Sequence, residues 1–132
     1  MVTEEEIFEK LRMKIRDILG VKIEEITREK TLVADLGAES IDLLDLSFLI
    51  EDTFGITIAP NEFEVEVKNC IPGGVYEKDG MLTDEALAEL RRRLPEIDRS
   101  RLVKGLRKTE LPSMLTVSVF VHLIQRKLSG KD

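Results

Sequence analysis

Apolar side chains recur at helical spacing in several stretches of the chain. Ile7, Phe8, Leu11, Ile15, Ile18 and Leu19 share one side of a helix predicted over 3–19, with Thr3 as N-cap, three acids in the first turn and Gly20 past its end. A second helix is predicted over 40–54 and is closed by Gly55. Thr83 opens a third, in which Leu87, Leu90 and Leu94 stack before Pro95 ends it. Thr116 caps the last, whose Val117, Phe120, Val121, Ile124 and Leu128 form an apolar face ahead of Gly130.

Between these helices the pattern is weaker. Residues 20–39 form a long connection with spaced anchors (Val21, Ile23, Ile26, Leu32, Val33, Leu36), expected to be pinned over the core. FEVEV, residues 63–67, alternates like a strand, yet Pro60 followed by Asn61 and Glu62 can equally open a helix, so both readings stand. A short helical piece is expected around 98–106. The fold class is all-α: a small bundle of three long helices plus short ones, with a mainly helical insert between the second and last main helices. The chain is read as one domain, 1–132, with its core in 1–60 and 113–130 and the insert at about 61–112.

The helix over 40–54 departs from the ordinary amphipathic pattern. At about 100° per residue, Leu43, Leu46, Ile50 and Phe54 gather on one side. Ile41, Leu44 and Phe48 lie nearly opposite, together with Asp45, Glu51 and Asp52. Buried unpaired carboxylates cost several kcal/mol each, as an order of magnitude, so the second side is read as an exposed apolar stripe rimmed by acids. Such a face suits partners with basic surfaces: the acids steer encounter and the apolar side chains make the contact. The alternative is that the insert covers the stripe.

Composition sharpens this picture. Net charge is −6, which disfavours general nucleic-acid or anionic-membrane binding. Residues 35–54 contain six acids (Asp35, Glu39, Asp42, Asp45, Glu51, Asp52) and no Lys or Arg, whereas residues 91–112 contain eight bases against three acids. The single cysteine, Cys70, can form neither an internal disulfide nor a thiolate cluster and is read as a buried or idle thiol. No segment has membrane-spanning length, and charge stands where a signal peptide needs an apolar run, so a cytoplasmic location and no membrane span are expected. His122 is expected to be exposed and Tyr76 to be a packing residue. No nucleophile–base pair or metal-ligand spacing is found, and the acids at 35–45 lack the alternation and distal Glu of a calcium loop.

Ser40 opens the two-faced helix. As an N-cap it would be ordinary, but Leu43 at N3 completes no capping box. A serine at a helix N-terminus is also placed to hold a phosphodiester, because free N–H groups and the positive dipole end face an anion there; Glu39 and Asp42 offset part of that attraction.

The run ADLGAESIDLLDLSFLIEDTFGITI resembles the phosphopantetheine-attachment region of acyl carrier proteins. The matching residues are Asp35, Leu36, Gly37, Glu39, Ser40, Ile41, Asp42, Asp45, Leu46, Glu51, Phe54, Gly55 and Ile56. Here Glu39-Ser40-Ile41 stands where the family more often has Asp-Ser-Leu. The resemblance extends to helices 3–19 and 116–128. It implies an acyl-carrier-type bundle and a 4'-phosphopantetheine arm, taken from coenzyme A by a phosphopantetheinyl transferase and attached to Ser40, with Asp35, Gly37 and Glu39 as further cofactor-binding residues. The arm would carry acyl groups as thioesters for fatty acid, specialised lipid or polyketide-type biosynthesis, and the protein would not be an enzyme. Ile41, Asp42, Leu44, Asp45, Phe48, Glu51 and Asp52 would dock acyl-transferring or ketoacyl synthase-type enzymes with basic patches. Acyl chains would shelter among Leu43, Leu46 and Ile50, and a monomer is expected.

Two other readings are a peptidyl or aminoacyl carrier, which the acidic second helix disfavours, and an unmodified scaffold in which Ser40 is only a cap. The chain departs from the family in having more than fifty residues, about 61–114, where a short helix is usual. The insert is acidic first and basic later. Its basic run is either a solvated face or a surface that meets acids, on a partner or on helix 40–54.

Overall fold

The computed structural model describes residues 2–58 and 62–130. The chain divides into two compact units, one built from residues 1–60 and 115–132 and the other from 61–114. Secondary structure is mostly helical, in keeping with the all-α class expected from the pattern.

In the first unit, α1 (Glu4–Leu19) packs against both α2 (Ser40–Phe54) and α5 (Val117–Ser129). Thr3 accepts a hydrogen bond from Glu6 N–H at 3.1 Å, and Thr116 accepts one from Val119 N–H at 3.2 Å, so both helices begin where their capping residues stand. Ile7, Leu11 and Ile15 of α1, Leu46 and Ile50 of α2, and Val117, Val121 and Ile124 of α5 are buried in this unit's core.

The long connection between α1 and α2 is tied down by polar bonds as well as apolar anchors. Ile26 and Leu32 are buried, and Ile23 is half-buried. The Arg12 guanidinium donates to the carbonyls of Ile26 and Ile23 at 3.1 and 2.8 Å. Arg28 bonds Glu4 and Glu5 at 2.9 and 2.8 Å, and both arginines lie over the Phe8 ring. Leu32 N–H donates to Leu115 C=O at 3.2 Å and Val117 N–H to Lys30 C=O at 2.9 Å, so the connection meets the start of α5. His122, expected to be exposed, is half-buried; its Nε2 lies 3.3 Å from Glu4 Oε1. Glu4 is a tertiary neighbour that no local pattern reveals.

The second unit contains α3 (Glu62–Cys70), α4 (Asp84–Arg93) and a hairpin, β1 (Glu77–Lys78) with β2 (Met81–Leu82). The alternating 63–67 segment is helical and lies within α3; Pro60 and Asn61 lie outside the described residues. Tertiary packing of α3 against α4 decides between the two periods that the sequence allowed. The hairpin was not expected, although its turn residues are a signal for one. Asp79 and Gly80 take φ of 56° and 83°, as a two-residue turn between antiparallel strands requires. The short helical piece expected around 98–106 is a 3-10 helix at Arg99–Arg101. Leu87, Leu90, Leu94 and Tyr76 are buried, and burial together with the nearby Glu64 carboxylate pushes the Tyr76 phenol up to about 12. Cys70 is exposed and lies against the Arg93 guanidinium, which corrects the buried alternative of its reading. Its position at the last residue of α3 leaves it open to solvent.

Candidate functional site

The loop before α2 is a compact turn. Asp35 Oδ2 accepts from Thr31 N–H at 2.8 Å, while Asp35 N–H donates to Thr31 Oγ1 at 3.0 Å. The Thr31 backbone bond, aided by the Thr31 hydroxyl and Lys30, holds the Asp35 carboxyl below its usual range. Ala38 N–H reaches back to Leu32 C=O at 2.8 Å. Gly37 has φ of 78°, a conformation that a side chain strains, so glycine suits the turn. Asp35 and Gly37 thus shape the loop through its own backbone. Leu36 and Ala38 on either side of Gly37 are buried and hold the loop to the bundle.

Ser40 is exposed and is the first residue of α2; it is not the cap. Glu39 occupies the N-cap position, and Asp42 at N3 accepts from Glu39 N–H at 2.9 Å. The reciprocal capping sought around Ser40 is therefore shifted by one residue, which the sequence concealed because Glu is an unusual N-cap. The first intrahelical bond runs from Leu43 N–H to Glu39 C=O at 3.0 Å. The N–H groups of Ser40 and Ile41 lie ahead of it, at the end of the helix that attracts anions. Glu39 is exposed beside Ser40.

Behind Ser40, Ile41, Leu44 and Phe48 are 63%, 41% and 59% exposed, whereas Leu46 and Ile50 are buried. Leu43 and Phe54, expected inward, are half-buried. The acids of this helix divide by role. Asp45 and Asp52 are exposed, but Asp42 caps the helix, and Glu51 accepts from Ile58 N–H at 2.7 Å beyond the C-terminal Gly55. An open groove of about 490 Å³ runs beside the stripe, lined by Asp17, Ile18, Asp42, Asp45, Phe48 and Leu49. Asp17 and Ile18 come from α1 and were not legible as site residues, because only the α1–α2 contact brings them there.

A cavity of about 10 Å³, the size of one water, lies between Ile15, Ile18, Leu19, Leu32, Ala38, Asp42, Leu43 and Leu46. It includes two of the three residues expected to shelter an acyl chain; Ile50 does not line it. No helix among the described residues is long and apolar enough to cross a membrane, and no acid–His–Cys cluster among them fits a metal ion.

An exposed serine at a helix N-terminus, outside the capping bonds, is chemically suited to form a phosphodiester. Residues 9–69 match the family described as "Phosphopantetheine attachment site". The match runs on into α3, past the expected start of the insert. Three relatives are named "Acyl carrier protein". The one from Petrotoga mobilis is 40% identical over 63 residues, covering 48% of this chain and 74% of that protein. That from Thermotoga maritima is 41% identical over 64 residues (48% and 79%). That from Coprothermobacter proteolyticus is 34% identical over 79 residues (56% and 96%).

Proposed function

The chain belongs to the acyl carrier protein family, and we propose that its 4'-phosphopantetheine arm is attached at Ser40 Oγ. The single observation that carries this assignment is the exposed Ser40 at the first position of the two-faced helix α2, inside the matched span. In the loading step, Ser40 Oγ attacks the β-phosphate of coenzyme A. A new Oγ–P bond forms, the pyrophosphate P–O bond breaks, and adenosine 3',5'-bisphosphate leaves. The Ser40 proton passes to a base of the phosphopantetheinyl transferase. The N–H groups at the start of α2 lower the cost of placing an anion there, while Glu39 raises it.

When bound, the arm supplies a terminal thiol that holds acyl groups as thioesters. The chain's own residues do the remaining work. Asp35 and Gly37 hold the loop in shape, Asp42 fixes the first turn of α2, and Ile41, Leu44 and Phe48 offer apolar contact to enzymes whose basic patches meet Asp45 and Asp52. Fatty acid or related lipid biosynthesis is the proposed setting, with acyl-transferring and ketoacyl synthase-type enzymes as partners.

Incubating the protein with coenzyme A and a broad-specificity transferase, then recording intact mass, tests the assignment. Wild type should gain one phosphopantetheine and Ser40→Ala none. No gain in wild type with several transferases would point to an unmodified scaffold, and a gain retained in Ser40→Ala would move the site elsewhere.

A further inference from the structure

We propose that the basic segment 99–107 docks on the acidic, apolar-striped face of α2 of a second copy of this chain. Eight bases lie in 91–108, and the structure divides them into two sets. Four are used within the second unit. Arg91 donates to Leu102 C=O at 2.9 and 2.6 Å, Arg92 and Arg93 pair with Glu89, and Lys108 pairs with Glu64 and Glu77 at 3.1 and 2.9 Å. The other four, Arg99, Arg101, Lys104 and Arg107, are exposed and make no salt bridge among the described residues. No acid lies between Asp98, which accepts from Ser100 N–H at 2.9 Å, and Glu110.

The segment is held in shape rather than left as a tail. Leu102 and Leu106 are buried beneath it. Leu82 N–H donates to Leu106 C=O at 2.9 Å and Lys108 N–H to Gly80 C=O at 3.0 Å, which lays residues 106–108 alongside the hairpin. Apolar surface accompanies the charge. Val103 is 47% exposed, and Met81, bridged across to Arg107, is 42% exposed. Fixed cations around exposed apolar side chains make a protein-docking surface, and its complement carries fixed acids around exposed apolar side chains.

The face of α2 has that complementary chemistry. Glu39, Asp45 and Asp52 are exposed there, no base occurs in 35–54, and Ile41, Leu44 and Phe48 project between them. A nucleic acid fits less well, because the sole tyrosine is buried and the chain carries −6 overall. The contact joins unlike surfaces, so each copy retains one of each and association either closes reciprocally or continues as a chain. It goes beyond the monomer expected from the sequence. Because it uses the unmodified protein, it stands or falls separately from the Ser40 assignment. Copies held this way would compete with enzymes for α2.

A charge swap measured by sedimentation velocity tests the proposal. Wild type should associate weakly as concentration rises, more at low salt than at high salt. Arg101→Glu/Lys104→Glu/Arg107→Glu and Asp45→Lys/Asp52→Lys should each sediment as monomers; Asp42 and Glu51 are left intact because they hold backbone N–H groups. An equimolar mixture of the two variants should associate again, since each reversed surface then finds its complement, and that recovery also shows that both variants are folded. Wild type that stays monomeric, association unmoved by either reversal, or a mixture no heavier than its components would overturn it.

Discussion

Ser40 and Asp42 divide two tasks that a serine before a helix could otherwise combine. Asp42 anchors the start of α2 through Glu39 N–H, which leaves the Ser40 hydroxyl outside the capping role. That division was hidden in the sequence, since Glu39 and Asp42 are both acids and either could stand free in solvent. Asp35 shows the same point in the loop: its carboxylate is occupied by Thr31. Tyr76 permits a direct measurement at this scale, because it is the only tyrosine and there is no tryptophan. Its folded pKa, about 12, lies above the ordinary phenol value of about 10. Its contribution to stability is therefore complete below about pH 10 and is lost as pH rises through about 12. Phenolate absorbance should titrate higher in the native chain than in the denatured chain; coincident midpoints would show that Tyr76 is not buried.

At the scale of the element, α2 serves two surfaces at once. Ile50 is 1% exposed and Phe48 59% exposed, two residues apart on one helix. Truncating Ile50 to Ala removes core contacts and leaves a cavity, with an expected loss of about 2–5 kcal/mol in denaturant unfolding. Truncating Phe48 to Ala should change stability by no more than about 0.5 kcal/mol but weaken binding to a ketoacyl synthase-type partner. Equal losses of stability for the two variants would contradict the two-sided reading. The pattern predicted this helix well because its acids exclude one face from a dry core. The 63–67 segment was ambiguous because Val65 and Val67 satisfy both a period of two and part of a helical face. Contact with α4 resolves it.

For the whole molecule, the bonds that shape the Ser40 loop all lie within the first unit, from Thr31, Leu32, Val33 and Leu115. A chain with 61–114 replaced by a short flexible linker should therefore still gain phosphopantetheine at Ser40, as read by intact mass. Loss of loading in a variant that keeps its helical circular dichroism would show that the second unit is needed at the site. The sequence by itself determined the bundle helices, their threonine caps and the serine before a two-faced helix, because these depend on local spacing and on the cost of burying charge. Tertiary structure alone decided which acids are free and which hold backbone N–H groups, which four bases of the 91–108 run make no salt bridge among the described residues, and that Asp17 and Ile18 join the groove beside Phe48. Those outcomes depend on neighbours distant along the chain, and residue spacing carries no record of them.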